Sequence, residues 1–392
     1  MRLDRFITLH VVQPLRGLMR GTSGSGETSL PVLMYHSISD DPEPRVGPYY
    51  RVCTSPRGFR EQMEWMRDNG YQGVTLSEGL ARLAADSKAK IEDRRWKMED
   101  GRAQAGNPIS DLRSPISSDR PVAITFDDGF RDFHTAAWPV LRELGFTATM
   151  FLATGFIGEG GSKMEEGKSK IGERKGVAEI GKAESGNLGG DLASVLCPPT
   201  SGLRPAADLR SSISDLQPSG RRSFQGKECL TWNEVRVLQK AGMEFGSHTV
   251  NHPKLVELCW AEIERELRDS KAELERQLGE PATTFAYPYA FPEHRRDFVE
   301  RFKDVLKSSG YATNVTTQIG RHRLGDDVMQ IKRLPANSLD DAALLEAKLA
   351  GGYDWLARPQ GLIKRLKSKA GIGKAESTKG AGKEAGVQSQ RD

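Results

Sequence analysis

Two carboxylates stand side by side in PVAITFDDGF, residues 121–130, directly after a largely apolar run. Adjacent like charges repel and resist removal from water, so a folded chain that ends a strand on Asp127 and Asp128 needs a reason to keep them. A cation is the first candidate. Side chains alternate between faces along a strand, but a strand that stops here, with Gly129 freeing the turn, lets both carboxylates reach one pocket. The competing use is a turn in which one Asp caps a helix beginning near Phe130. A second group lies in FGSHTVNHP, residues 245–253, where His248 and His252 stand four apart. On a helical turn that spacing puts two imidazoles on one side, as metal sites often require. An isolated pair of this kind is weak evidence, yet the chain has only 7 histidines and two fall here at a strand end. With Asp128 they make a two-histidine, one-carboxylate set that leaves positions open for water and substrate.

Two more stretches end apolar runs on residues able to do chemistry. PVLMYHSI, residues 31–38, closes on His36, which is either a working imidazole or a strand cap. TFAYPYA, residues 284–290, is aromatic; core packing is the preferred reading for Tyr287. His134, His294 and His322 have no partner motif and are read as structural or exposed.

The elements that must position these residues alternate. Strands are predicted over 31–36, 73–76, 121–126, 147–154, 243–249, 283–289, 311–317 and 329–334. Helices fall between them: Ser55 and Pro56 read as N-cap and first helical residue before Phe59, Met63 and Met66. Thr231 and Glu234 form a capping-box pattern, and 260–278 is an outer helix with Ile263, Leu267, Leu274 and Leu278 inward. Repeated strand–helix units predict an α/β fold, and seven or eight of them a barrel.

Two stretches break the rhythm. Residues 87–120 and 158–223 are rich in Gly, Ser, Lys, Glu and Asp, and they share short words with each other and with the tail. Such composition buries too little apolar area to offset ordering entropy, so both are read as low-complexity insertions that stay disordered. The organisation is then a docking segment over 1–29, one domain over 30–350 that carries the insertions, and a basic low-complexity tail over 351–392. With 57 basic and 53 acidic residues interleaved, the net charge of +4 does not argue for nucleic acid. The 4 cysteines form no CxxC pair, so neither a zinc ribbon nor a disulfide framework is indicated. The segment MRLDRFITLHVVQPLRGLMRG fits neither a signal peptide nor a spanning helix, and a cytoplasmic location is expected. Its arginines around apolar residues permit peripheral contact with a membrane surface; packing on the domain is preferred.

TFDDG followed by SHTVNHP resembles the polysaccharide deacetylase family, the NodB-homology carbohydrate esterases. The resemblance covers residues 31–86, 121–157 and 224–336, and is nearest to the poly-N-acetylglucosamine deacetylase-like branch, whose strand–His element comes first. It implies a distorted (β/α) barrel. It also implies Asp127 as general base, Asp128, His248 and His252 as metal ligands, Tyr289 as backbone donor to the oxyanion, and His36 as general acid. Two departures stand out: Ala290 replaces the usual Gly, and the Arg that many members carry just upstream to hold the base is missing there.

The activity this implies is metal-dependent removal of acetyl groups from N-acetylhexosamine units of a glycan or glycolipid, with acetate released. Zinc suits the ligand set, and cobalt, nickel or iron would also be accepted. Two alternatives remain open: an esterase acting on O-acetyl groups, and a carbohydrate-binding module on the same fold. A glycosidase is disfavoured, because its carboxylates must flank the bond about 5 Å or more apart. Trp232, Tyr289 and Phe291 are candidates to stack on a sugar ring, with core packing as the alternative. Oligomeric state is not legible.

Overall fold

The computed structural model describes residues 2–15, 28–43, 46–47, 51–86, 88, 120–159 and 220–369. Most of residues 87–120 and 158–223, and the tail beyond residue 369, lie outside the described residues.

Eight parallel strands carry the fold: β1 (Val32–Tyr35), β2 (Tyr71–Val74), β3 (Arg120–Phe126), β4 (Thr149–Leu152), β5 (Glu244–Ser247), β6 (Thr284–Ala286), β7 (Thr313–Ile319) and β8 (Ile331–Pro335). Seven of them close a barrel in the order β1, β3, β4, β5, β6, β7, β8 and back to β1. β2 lies along the first half of β3, from Arg120 to Ala123. Parallel neighbours need crossovers, and helices supply most of them. They are α1 (Pro56–Asp68), α2 (Trp138–Glu143), α3 (Trp232–Lys240), α4 (Trp260–Leu278) and α5 (Arg296–Ser308). α6 (Ala342–Leu349) follows β8, and residues read from the sequence as tail form a further helix, α7 (Ala357–Lys369). No α-helix separates β7 from β8; a short strand, His322–Arg323, and a 3-10 turn, Val328–Gln330, fill that connection.

Local chemistry explains the boundaries. Ser55 Oγ accepts from the Gly58 N–H at 3.1 Å with Pro56 at the first helical position, so α1 starts there. Thr231 and Glu234 cap α3 reciprocally, and Gly279, at φ 72°, ends α4. Helices cover the barrel outside and side chains fill it inside, so the strands are buried on both faces; all four residues of β4 are buried.

The predicted strands 243–249 and 283–289 stop earlier, at Ser247 and Ala286. The residues beyond each stop are those that line the mouth. Because every barrel strand runs the same way, their C-terminal ends meet at one face, where a (β/α) barrel gathers its chemistry.

Candidate active site and metal centre

Register alone brings the first pair together. Tyr35 of β1 pairs with Phe126 of β3, so the next residues, His36 and Asp127, leave the barrel side by side. His36 Nε2 lies 3.8 Å from Asp127 Oδ2. On the far side, His248 follows Ser247 of β5, and its Nδ1 donates to the Ala286 carbonyl of β6 at 2.8 Å. That bond sets the tautomer and turns the lone pair of Nε2 into the mouth.

Asp128 and Gly129 both take left-handed backbone, at φ 74° and 78°, which is how two sequential carboxylates come to face one cleft. The five non-glycine residues with left-handed φ among those described are Asp128, Gln225, Thr249, His252 and Tyr289. Four of them line the cleft, and Thr249 Oγ1 accepts from the His252 N–H at 3.0 Å between the two histidines. Such backbone costs of order 1–3 kcal/mol per residue and collects where side chains must be aimed.

Asp128 Oδ1 sits 3.3 Å from His252 Nε2 and 3.6 Å from His248 Nε2, and the two Nε2 atoms are 3.1 Å apart. All three residues are buried. Asp128 Oδ1 and His252 Nδ1 have no hydrogen-bond partner. Burial, with the charge of Asp127 added, pushes the Asp128 carboxyl up to about 8 despite Arg333. Burial also pushes His252 down to about 2, with His248 and His36 adding to it, and it lowers His248 too. An orphaned buried carboxylate oxygen facing two neutral imidazole nitrogens lacks only a positive charge, so these residues fit a divalent cation.

Asp127 is in the opposite state. Burial opposes its ionisation, but Arg333, His248 and His36 outweigh burial and hold its carboxyl well below the usual range. Arg333 projects from β8 into the barrel and grips it with a fork: Nη1 donates to Oδ1 at 2.7 Å and Nη2 to Oδ2 at 2.8 Å. The guanidinium is fixed in turn, its Nε donating to the Thr316 carbonyl at 3.0 Å. The arginine that holds Asp127 thus comes from a strand 206 residues away in the chain. Its signal in the sequence is QIKRLPA, a charged residue inside a strand whose neighbours Ile331 and Leu334 are core. Burial pushes His36 down to about 4, with Asp127 opposing and Arg333 reinforcing, so its imidazole is neutral at pH 7.

The cleft holds about 200 Å³ and is lined by His36, Asp127, Asp128, His248, His252 and Tyr289, among others. Its wall on one side is a hairpin, Ser223–Phe224 with Lys227–Glu228, whose Phe224 ring packs on His252 at 5.0 Å. Lys227 donates to Ser37 Oγ at 2.7 Å and Ser39 Oγ at 2.8 Å, tying that wall to the segment after His36. Among the described residues the Tyr289 N–H has no acceptor, and the Tyr289 side chain is 43% exposed at the rim. Trp232 and Phe291 are buried, as is Tyr287, so of the aromatic candidates for sugar stacking only Tyr289 is open to solvent.

A family model for polysaccharide deacetylases matches residues 115–313, just over half of the chain. The chain belongs to the polysaccharide deacetylase family. YxkH of Bacillus subtilis (strain 168), which also carries a polysaccharide deacetylase name, is 24% identical over 291 residues. That match takes in 74% of this chain and 65% of YxkH, so the chain spans just under two thirds of that relative. The poly-beta-1,6-N-acetyl-D-glucosamine N-deacetylase of Escherichia coli (strain K12) is 26% identical over 116 residues, 30% of this chain and 12% of that enzyme. Among solved structures, the Streptococcus pyogenes deacetylase PplD superposes with a TM-score of 0.50 at 19% identity, covering 83% of this chain and 99% of PplD. That likeness is one of fold: the family's (β/α) barrel is the seven-strand barrel seen here.

Proposed function

We propose that this polysaccharide deacetylase is a metal-dependent de-N-acetylase of a glycan or glycolipid containing N-acetylhexosamine. The observation that carries the reading is the convergence of Asp127, Asp128, His248, His252 and His36 on one cleft at the barrel mouth. Asp128, His248 and His252 would hold the cation; their nitrogen and oxygen donors suit zinc, and would also take cobalt, nickel or iron. When bound, a divalent cation polarises a carbonyl and lowers the pKa of water from 15.7 toward about 7.

The remaining steps belong to the chain's own groups. Asp127, ionised and held by the Arg333 fork, accepts a proton from the attacking water. The Tyr289 N–H donates to the oxyanion, an interaction worth roughly 3–4 kcal/mol where one such donor is removed. His36, neutral at rest and 3.8 Å from Asp127 Oδ2, takes up the proton that Asp127 has drawn from the water and passes it to the departing nitrogen. An amine leaves poorly unless it is protonated, whereas an alcohol leaving group depends less on an acid, so a positioned His36 favours an amide substrate over an ester. At about 200 Å³ the cleft is smaller than pockets that enclose a whole ligand, which suits an acetamido group presented by a sugar lying across the mouth.

The test is acetate release from N-acetylglucosamine oligomers by the zinc-loaded chain, with and without chelator. Chelator-sensitive release is expected, and zinc bound without release would turn the reading to O-acetyl esters. Asp127→Asn should keep the metal and lose turnover by about 10²-fold or more. Full activity in that variant would remove Asp127 from the role of base.

A further inference from the structure

The first helix, Leu3–Ile7, continues as a π turn over Thr8–Val12, and it is docked with its polar side inward. Arg2 Nη1 donates to Asp340 Oδ1 at 2.9 Å, and Arg2 Nη2 to Asp4 Oδ2 at 2.7 Å. Tyr353 donates to Asp4, Arg5 to Asp341, and Trp355 Nε1 to the buried Thr8 hydroxyl at 3.1 Å. Six residues of the opposite side are exposed: Leu3, Phe6, His10, Val11, Pro14 and Leu15. Their spacing is that of one helical face, and five of the six are apolar. Leu3 is 66% exposed, Phe6 43%, Val11 45% and Leu15 55%. A surface helix ordinarily does the reverse, burying its apolar stripe and wetting its polar one.

We propose that this outward apolar face is a docking surface for an anionic lipid bilayer. Charge around it selects the occupant. The helix runs from Asp340 and Asp341 at its start toward Trp355 at Thr8, which places its later turns near the start of α7. α7, ARPQGLIKRLKSK, carries no acidic residue; Arg358 and Leu362 are exposed, Lys364 is taken up by Glu293 at 3.1 Å, and the sequence adds Arg365, Lys367 and Lys369. The sequence after Leu15 adds Arg16 and Arg20. Apolar side chains beside a surplus of cationic ones are what an interfacial helix offers to acidic headgroups, and a second copy of this chain would set those cations against each other. Six exposed residues are also few beside the roughly 20–30 a side that a stable protein interface uses. The substituted positions lie outside the cleft, so this inference stands or falls apart from the catalytic reading.

The experiment floats the full chain with vesicles of phosphatidylcholine alone and of phosphatidylcholine with 30% phosphatidylglycerol. The wild type should partition to the anionic vesicles, and Leu3→Ser/Phe6→Ser/Val11→Ser should lower that partition at least tenfold with an unchanged thermal midpoint. Phe6→Ser alone should lower it severalfold, which keeps the test valid if the triple variant unfolds. Absence of wild-type binding to anionic vesicles, or equal partition of the folded variants, would overturn the proposal. So would a dimer in sedimentation velocity that the triple substitution dissociates, because the face would then be covered by a second copy.

Discussion

Arg333 and Asp127 meet through two charge-assisted hydrogen bonds, 2.7 and 2.8 Å long, inside the barrel, where both are almost fully buried. Planar, bidentate contact orients the carboxylate as well as keeping it ionised, which a lysine cannot reproduce. Removing one partner leaves a buried charge without its counter-ion. Arg333→Met is therefore expected to cost about 3–5 kcal/mol of stability in urea unfolding. Arg333→Lys should cost less stability yet still lower kcat by about 10²-fold, because a base misplaced by about an ångström loses that much. Zinc affinity in Arg333→Lys should stay near wild type, and acetate-release kinetics with a zinc titration would separate the two effects. The ligating and catalytic candidates were legible because their types are scarce and clustered: two of 7 histidines lie four residues apart, and the carboxylates are adjacent. Arg333 was not, since nothing local in QIKRLPA says which carboxylate it will meet once the sheet closes.

The elements were legible as a count and an order, and less so at their ends. Apolar runs marked the strands, but β5 and β6 stop where the backbone turns left-handed or irregular to aim His248 and Tyr289, and hydrophobicity does not record that change. Closure depends on small residues where strands approach. A Cβ on Gly246 of β5 would lie less than 3 Å from the Phe151 ring of β4 and from the Thr284 hydroxyl of β6. Gly246→Ala must then push β5 away from both neighbours, at about 1–3 kcal/mol. His248 is two residues further on, so the same displacement moves one ligand relative to the other two. The variant is expected to fold with a lowered thermal midpoint and to bind zinc severalfold more weakly. Wild-type zinc affinity in a destabilised Gly246→Ala would show that the histidine is placed by its bond to Ala286 and not by the strand.

At the scale of the whole molecule, the seam between β8 and β1 is braced by a polar network that also anchors the first helix. Tyr35 at the end of β1 donates to Gln62 of α1 at 2.7 Å, and Gln62 donates to the Asp340 carbonyl at 3.0 Å. The Asp340 carboxylate accepts from Lys348 of α6 at 2.7 Å and from Arg2 at 2.9 Å. The Lys348 side chain is 1% exposed and that of Asp340 0%, and burial lowers the lysine pKa while Asp340 opposes the change. Contacts that join residues more than 300 positions apart leave no trace in local pattern, so the sequence shows a basic, apolar first segment without showing which side of it is held. Since its polar side is consumed by this network, only the apolar side is left to face outward. Asp340→Ala strands a buried ammonium and releases Arg2, which should cost about 3–5 kcal/mol. Adding Lys348→Met to Asp340→Ala should recover part of that loss, because the unpaired charge is gone. If the double variant is no more stable than Asp340→Ala, the stabilisation comes from Arg2 and the first helix. Vesicle binding should then fall in both variants, through loss of the docked helix and not of its apolar residues.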